Sequence, residues 1–358
     1  ERIIACHIEQ NHDANGIVRA DYTREGTDGT HFLQLEQVLP LSGRLGLRRR
    51  AGEAAVDAVA AESEAALFHI RSEFRAAFHA LMFAQEREAT VLRSLGTLEE
   101  IIAVLRLRER EGEGSAFDRM RAERELAEFQ AELTVSQVVV ERSRARLASY
   151  LPSGRDDFKA VGDIRARPGL PPLADLLARA VEMRKELQAE RHLTSRYEFE
   201  RRAAERLRIP EPAGTAGLKR VNTIGFVGNG SAVAVSIPLP LFHTGKTEVA
   251  RARAELARRE AAGEALMRQI EQEVRANYQT AQLRRRAAEE YARQAGERDL
   301  KLREIARVAY EEGERGILDL LDAYRVSLQS GLRILDLLAA ARAAEIELER
   351  AVGEEVLR

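Results

Sequence analysis

The sequence predicts a mainly α-helical protein with a small β part, built from a duplicated unit of strand, loop, strand and long helical hairpin. Charged residues make up 32% of the 358 residues, aromatic residues only 5%, and Trp is absent. This composition is typical of long helices that pack along narrow seams. Several landmarks also recur at one constant offset: Gly112 with Gly313, Asp118 with Asp319, and Arg124 with Arg325. A constant offset across several landmarks indicates an internal repeat.

The first repeat covers residues 1–150. Leu33, Leu35 and Leu39 alternate with polar residues, as expected of a strand with one apolar and one polar face. Before that strand, a polar stretch rich in Gly and Asp, 11–29, predicts a loop. The elements predicted in this repeat are, in order, a β-hairpin over 2–40, a long helix over 44–111 and a return helix over 115–150.

A connector over 151–172, rich in Pro and Gly, separates the two repeats. The second repeat covers 173–352, and a turn is predicted at Gly228–Ser231 between its strands. The elements predicted in this repeat are, in order, a helix over 173–208, a β-hairpin over 218–240, a long helix over 245–311 and a return helix over 317–352. Two strands per repeat give four per chain, and the open edges of such a sheet require other copies of the chain to pair them.

The helix over 173–208 has no counterpart before the first repeat. We therefore expect a further helix, and an export signal, to precede Glu1 in the full protein.

Several classes of function are not indicated by the sequence. The net charge of −2 gives no overall attraction to nucleic acid, and the single Cys excludes an internal disulfide. We find no nucleophile elbow, no Gly-rich phosphate loop and no Cys/His grid, so we predict neither an enzyme nor a cofactor. The seven His residues form no ligand cluster in the sequence, and no metal site is predicted.

The two hairpin tips are predicted at glycines that interrupt long helical patterns. These tip-turn residues are Gly112, Gly114, Gly313 and Gly316. Asp319 and Asp322 follow the second tip three residues apart, so both carboxylates lie on one face of the return helix. They fit a functional acidic pair, and they equally fit solvated acids that are favoured by the dipole at a helix start.

Taken together, these motifs resemble those of the TolC-type outer-membrane efflux proteins. The resemblance rests on Leu39-Pro40-Leu41 followed by Gly43, on Leu239-Pro240-Leu241 followed by Gly245, and on two tips that contain Gly and Glu and are followed by Asp. The texture of the first repeat, including Ala77-Phe78-His79-Ala80-Leu81, is closest to the heavy-metal efflux branch.

The resemblance implies a homotrimer whose strands form one twelve-stranded β-barrel in the outer membrane, continued by an α-helical barrel across the periplasm. It implies a passive exit duct in contact with outer-membrane lipid, which docks onto a periplasmic adaptor and an inner-membrane pump. It further implies that Asp319 and Asp322 form the pore constriction. Tyr310, Arg315 and Asp118 match the family's gate contacts, although each also fits an ordinary surface or first-turn residue.

A coiled-coil hairpin scaffold or adaptor without a channel is the alternative interpretation, because adaptors also combine long helical hairpins with β-structure. The number of hairpins distinguishes the two, since an adaptor folds its hairpin once and a duct folds it twice.

Overall fold

The computed structural model describes residues 4–12, 16–25, 28–152, 158–164, 169–238 and 245–357, with side chains from residue 28 onward except that of Glu297. Five strands are present in these residues: β1 Ile4–His12, β2 Gly16–Glu25, β3 Asp28–Val38, β4 Ala213–Thr223 and β5 Phe226–Ser236. The helices are α1 Arg44–Arg110, α2 Ala116–Ala148, α3 Leu173–Met183, α4 Lys185–Glu205, α5 Lys246–Glu311 and α6 Ile317–Val352. None of the helices in the described part is long and apolar enough to cross a membrane.

The strands form one antiparallel sheet in the order β1-β2-β3-β4-β5. This corrects the predicted loop over 11–29, most of which is β2, paired with β1 on one side and β3 on the other. The Gly, Asn and Asp residues at both ends of β2 produced the loop prediction, whereas Val18, Ala20 and Tyr22 alternate with polar residues inside it. Because the described residues already contain five strands rather than four, the predicted total of twelve for a trimer does not follow.

The second hairpin turns earlier than predicted. Thr223 pairs with Phe226, which leaves Ile224 and Gly225 as the two-residue turn, and Gly225 has a φ of 83°. The predicted turn at Gly228–Ser231 lies inside β5 instead. A Cβ at Gly228 would lie 2.6 Å from the Phe226 ring, so this glycine makes room for a neighbouring side chain rather than for a turn.

The register of the sheet separates apolar from polar side chains. Leu33 pairs with Leu218, Leu35 with Ala216 and Ala216 with Val233, so these residues share one face. In the single chain this face is open to solvent, with Leu35 52% and Val233 83% exposed. Gln34, Glu36 and Thr215 belong to the opposite face. A large exposed apolar sheet face marks a surface that another molecule or a membrane covers.

The chain divides into two compact units that cut across the sequence repeats: residues 1–62 with 186–265, and residues 63–185 with 266–358. The first unit contains the sheet and the helix segments next to it. The second contains both hairpin tips, the connector and all of α2, α3 and α6.

The long helices end at matching places in the two repeats. At the offset that relates Gly112 to Gly313, the last residue of α1 falls on the last residue of α5, and the first residue of α2 on the first of α6. Gly43 and Gly245, just before α1 and α5, also share a left-handed conformation, with φ of 72° and 71°. Equivalent glycines therefore precede both long helices, and equivalent residues form both tips.

The helix predicted over 173–208 is interrupted. α3 ends at Met183, Arg184 is extended with ψ of 111°, and α4 begins at Lys185 and gives way to a 3-10 turn, Arg206–Arg208. No Gly or Pro marks this break. The Arg184 guanidinium bonds to the carbonyl of Ala351 at 3.0 Å and to Glu273 at 3.1 Å, so a tertiary contact at the end of α6 accounts for it.

The described part of the connector, 151–152, 158–164 and 169–172, has neither helix nor strand. Gln85 of α1 bonds to both backbone groups of Ala160, at 2.8 and 2.9 Å. Phe158 and Ile164 pack against a buried cluster around Leu81 and Leu147. The connector is therefore held on α1 by side-chain contacts.

Candidate gate at the hairpin tips

Both tips are built by the same backbone turn. In the first, the amide of Glu113 donates to the carbonyl of Arg108 at 2.9 Å, and in the second the amide of Glu314 donates to Ala309 at 2.8 Å. Gly112 and Gly313 have φ of 77° and 75°. These are features of a Schellman motif, in which a left-handed residue satisfies the last carbonyls of a helix. The predicted glycines Gly112 and Gly313 thus occupy the positions that require glycine.

The other two predicted glycines act differently. A Cβ at Gly114 would lie 2.8 Å from the backbone nitrogen of Glu109, so the close approach of the chain requires a glycine there. Gly316 has an ordinary φ of −83° and open space around its Cα, and it precedes α6 without a side-chain cap. In the first tip, the equivalent Ser115 accepts a hydrogen bond from the amide of Phe117 at 3.1 Å.

The structure places Tyr310 beside Arg108, and the charge of Asp118 also acts on it. Tyr310 is half-buried at the end of α5, and the Arg108 guanidinium lies 5.9 Å from its ring centroid. Burial raises the pKa of Tyr310, the negative charge of Asp118 raises it further, and Arg108 opposes both. Tyr310 thus joins the second tip to residues of the first.

Arg315 is not brought to Asp118. Its ion pair among the described residues is with Asp319, at 3.9 Å and one turn further along the chain. Asp322 pairs in the same way with Arg325 on α6. Each acidic residue of the predicted constriction therefore has an arginine partner within its own repeat.

Asp319 and Asp322 are exposed, with side chains 53% and 57% accessible. Both line a groove of about 830 Å³ between α2 and α6, where Arg121 and Arg124 lie on the α2 side. Both also line a smaller groove of about 280 Å³ between α5 and α6. The carboxylates are thus open to ions or to another chain. Among the described residues no group of three or more His, Cys, Asp or Glu could hold a metal ion.

Ion pairs that the sequence analysis missed hold the first tip together. Arg119 of α2 contacts Glu109 of α1 at 2.6 Å and Glu123 at 2.7 Å, and Arg106 of α1 contacts Glu123 at 2.8 Å. Hydrogen bonding from Arg106, with the charge of Arg119, lowers the pKa of Glu123. The i,i+4 spacing of Arg119 and Glu123 is a signal in the sequence, but their partners on α1 are decided by the hairpin.

The second tip has a different arrangement. Arg307 of α5 bonds to Glu304 and Glu311 on its own helix, at 2.6 and 2.8 Å. No ion pair joins α5 to α6 in the described part of this tip. Arg303 lies 5.7 Å from the ring centroid of Tyr324 of α6, and this contact links the two helices.

Apolar packing holds α6 to the first hairpin. Six α6 residues belong to one buried cluster with residues of α1 and α2, while α5 contributes only the partly buried Ala306 and Tyr310. The α6 members are Ile317, Leu320, Leu321, Tyr324, Leu328 and Leu332. Their α1 and α2 partners are Val91, Leu95, Leu98, Ile102, Leu105, Ala122 and Phe129.

Comparison with solved structures identifies the architecture. The chain is similar to the open state of the Neisseria gonorrhoeae MtrE outer membrane channel, with a TM-score of 0.75, 20% identity, and coverage of 100% of this chain and 81% of that one. The chain has the fold of the TolC-type outer-membrane channels. This confirms the predicted resemblance at the level of the fold.

Two further channels show the same similarity to this fold. The outer membrane protein VceC of Vibrio cholerae has a TM-score of 0.72 and 19% identity, covering 99% of this chain and 86% of that one. The Campylobacter jejuni CmeC outer membrane channel has a TM-score of 0.72 and 14% identity, covering 100% of this chain and 78% of that one. No protein-family model and no curated protein sequence matches the chain.

Proposed function

We propose that this chain is the subunit of a passive exit duct in the outer membrane that extends into the periplasm. Three copies would close their sheets into one β-barrel and their long helices into one α-helical barrel. The exposed apolar face over Leu33, Leu35 and Val233, opposite a polar face with Gln34 and Glu36, carries this proposal. A sheet with these two faces suits lipid outside and water inside a closed barrel.

The partners follow from the same proposal. The hairpin tips would dock onto a periplasmic adaptor that connects the duct to an inner-membrane pump. The energy for transport would come from that pump, because the duct itself performs no chemistry. Assignment to the heavy-metal branch stays a prediction.

Substitution on the two faces of β3 tests the membrane role. Leu35→Arg would place a charge against lipid, which costs about 2–4 kcal/mol near the bilayer midplane. Gln34→Arg, on the neighbouring residue and the polar face, is the matched control. We expect the first variant to lose outer-membrane fractionation and the detergent-stable trimer, and the second to keep both. Equal behaviour of the two variants, or a monomeric unmodified chain outside the membrane fraction, would favour the scaffold without a channel.

We further propose that the tips form the gate, with Asp319 and Asp322 at the constriction and with Tyr310, Arg315 and Asp118 as its contacts. The effect of the Asp118 charge on the pKa of Tyr310, together with the Arg108 contact to the Tyr310 ring, supports this assignment. The Arg315–Asp319 pair supports a role for Arg315 in neutralising the constriction rather than in contacting Asp118. Docking of an adaptor would need to offset only a few exposed polar contacts, each of which is weak.

Conductance in planar bilayers tests the constriction. We expect Asp319→Asn with Asp322→Asn to lower cation selectivity and block by divalent cations, because acidic rings attract cations. Glu347→Gln is the matched control, since Glu347 also lies on α6 and pairs with an arginine three residues later. If the double variant conducts and is blocked as the unmodified chain is, these two residues do not form the constriction.

A further inference from the structure

The three helix ends next to the sheet are strongly cationic. Segments 44–53, 201–211 and 246–255 carry eleven Arg or Lys against five Glu, in a chain whose net charge is −2. They adjoin the end of β3, the start of β4 and the end of β5. All three belong to the unit that contains the sheet. The positive charge is therefore concentrated at the junction of sheet and helices.

Many of these cations form no ion pair with the described residues of the chain. Arg49 pairs with Glu53 at 3.2 Å, and Arg201 with Glu205 at 2.8 Å. Seven other cations of these segments have no ion pair within the described residues, and all but Arg44 are exposed. They are Arg44, Arg48, Arg50, Arg206, Arg208, Lys246 and Arg251. Exposed cations without acidic partners are available to an external anion.

The positive charge at the start of α1 does not stabilise that helix. Its first turn has no acidic residue, and Arg44, Arg48, Arg49 and Arg50 lie in its first two turns. Every other helix described has an acid in its first turn. The helix dipole favours acids at this end and disfavours cations. The arginines of α1 therefore stand against the local preference.

Exposed leucines lie beside these arginines. Leu39 is 46% and Leu41 72% exposed in the short segment between β3 and α1. Apolar side chains followed by long cationic ones are typical of a bilayer surface, where the apolar groups enter the hydrocarbon and the cations reach the headgroups.

A groove among the same helices has room for headgroups. It measures about 840 Å³, lies between the starts of α1 and α5 and the end of α4, and is lined by Arg44, Arg48 and Arg251. Of the acids that also line it, Glu200 pairs with Arg196 at 2.9 Å and Glu255 with Arg258 at 2.9 Å. The lining therefore has three arginines without an ion pair among the described residues and one such acid, Glu248. This excess of positive charge favours an anion in the groove.

We propose that these segments form a cationic belt that binds the phosphate groups of anionic phospholipids in the membrane leaflet facing the helices. The proposal rests on the proposed outer-membrane duct and adds to it a preference for one class of lipid. Each cation close to an anionic bilayer surface strengthens binding by roughly fivefold. Removal of three cations should therefore weaken the preference by about 100-fold.

The test uses the full chain, purified in detergent, in mixed micelles that contain equal amounts of phosphatidylglycerol and phosphatidylethanolamine. The retained lipids are counted by native mass spectrometry. We expect the unmodified chain to retain phosphatidylglycerol selectively, and 0.5 M NaCl in the micelle incubation to reduce this selectivity through screening. The variant Arg48→Gln, Arg50→Gln, Arg251→Gln should lose the selectivity, and the same three positions changed to Lys should keep it.

The matched control removes three exposed arginines of α5 that lie in the other unit, through Arg275→Gln, Arg286→Gln and Arg298→Gln. The belt is refuted if the belt variant keeps its selectivity, or if this control loses as much. Planar-bilayer conductance separates the two proposals. A conducting unmodified chain without lipid selectivity refutes the belt alone, and a selective chain that never conducts refutes the duct alone.

Discussion

The two hairpin tips share a backbone turn but are held by different forces. At the first tip, ion pairs from Arg119 to Glu109 and from Arg106 to Glu123 join α1 to α2. At the second tip, Arg307 pairs only within α5, and α6 packs its apolar residues on the first hairpin. The two tips thus share one turn geometry while different side-chain contacts hold their flanking helices.

This difference suggests how the tips divide their roles. At the first tip, ion pairs across α1 and α2 add to the burial of Leu105, Ala122 and Phe129 in the apolar cluster, so both of its helices are packed. Since α5 contributes little to the buried cluster, the contacts that hold it near the tip are the exposed or half-buried ones around Tyr310 and Arg303. Contacts of this kind cost little to break. The proposed gate therefore depends on a hairpin that has one well-packed helix and one loosely held helix.

Removal of a buried α6 leucine should have the largest effect. Leu320 is 2% exposed in the cluster that joins α6 to α1 and α2, and Leu320→Ala should cost about 2–5 kcal/mol because it leaves a cavity. Hydrogen exchange of the amides of 317–332 measures the loss. Leu318→Ala is the control, since Leu318 lies on the same helix and is 50% exposed. A similar loss of amide protection in the two variants would show that burial of α6 leucines does not hold the second tip.

Glycine substitutions should show where the tips agree. Gly313→Ala and Gly112→Ala each place a Cβ at a left-handed φ, which costs about 1–2 kcal/mol. The cost should be the same at both tips because the turn is the same, and urea denaturation of each variant measures it. Gly316→Ala, at an ordinary φ of −83°, avoids this strain and should cost less, about 0.5–1 kcal/mol, because Gly316 is the N-cap of α6 and that position favours Gly over Ala. A clear difference between the first two variants would contradict a shared turn.

The smallest effect expected is an opposite response of the tips to pH. The pKa of Glu123 is lower in the folded chain than in the unfolded chain, where it is about 4.3. Glu123 therefore contributes fully to the free energy of unfolding above about pH 4.3, and this stabilisation is lost as the pH falls through the pKa of the folded chain. The pKa of Tyr310 is higher in the folded chain than in the unfolded chain, where it is about 10. Tyr310 therefore contributes fully to the free energy of unfolding below about pH 10, and this stabilisation is lost as the pH rises through the pKa of the folded chain. Acid should weaken the first tip and alkali the second.

Two variants measure these responses. The stability difference between the unmodified chain and Glu123→Gln should shrink as urea denaturation is repeated at lower pH. Tyrosinate absorbance should lose a late-titrating component in Tyr310→Phe. If the stability difference for Glu123→Gln stays constant from neutral pH to pH 3, the arginine contacts of Glu123 do not stabilise the first tip. If the absorbance titration of Tyr310→Phe is unchanged, the surroundings of Tyr310 do not raise its pKa.

Local signals in the sequence were sufficient for the helical part of the fold. The predicted long helix over 44–111 is Arg44–Arg110 in the structure, and the one over 245–311 is Lys246–Glu311. Glycines that require a left-handed φ end both helices, and such a requirement can be read from the residue type. The acidic pair Asp319 and Asp322 could be placed on one helix face because residues three apart lie on the same side of a helix. Its arginine partners at spacings of three and four were equally visible in the sequence.

Contacts between different elements decided the remainder. β2 is a strand because β1 and β3 pair with it on both sides, although the residues around it favour turns. The break at Arg184 depends on carbonyls at the end of α6, and the pairs that hold the first tip depend on how α1 and α2 meet. The sequence by itself determined where helices run and where they turn, because backbone preferences and apolar periodicity act over a few residues. Tertiary structure alone decided that β3 pairs with β4 and which charges meet across α1 and α2, because those contacts join separate elements and local backbone preferences carry no signal of them.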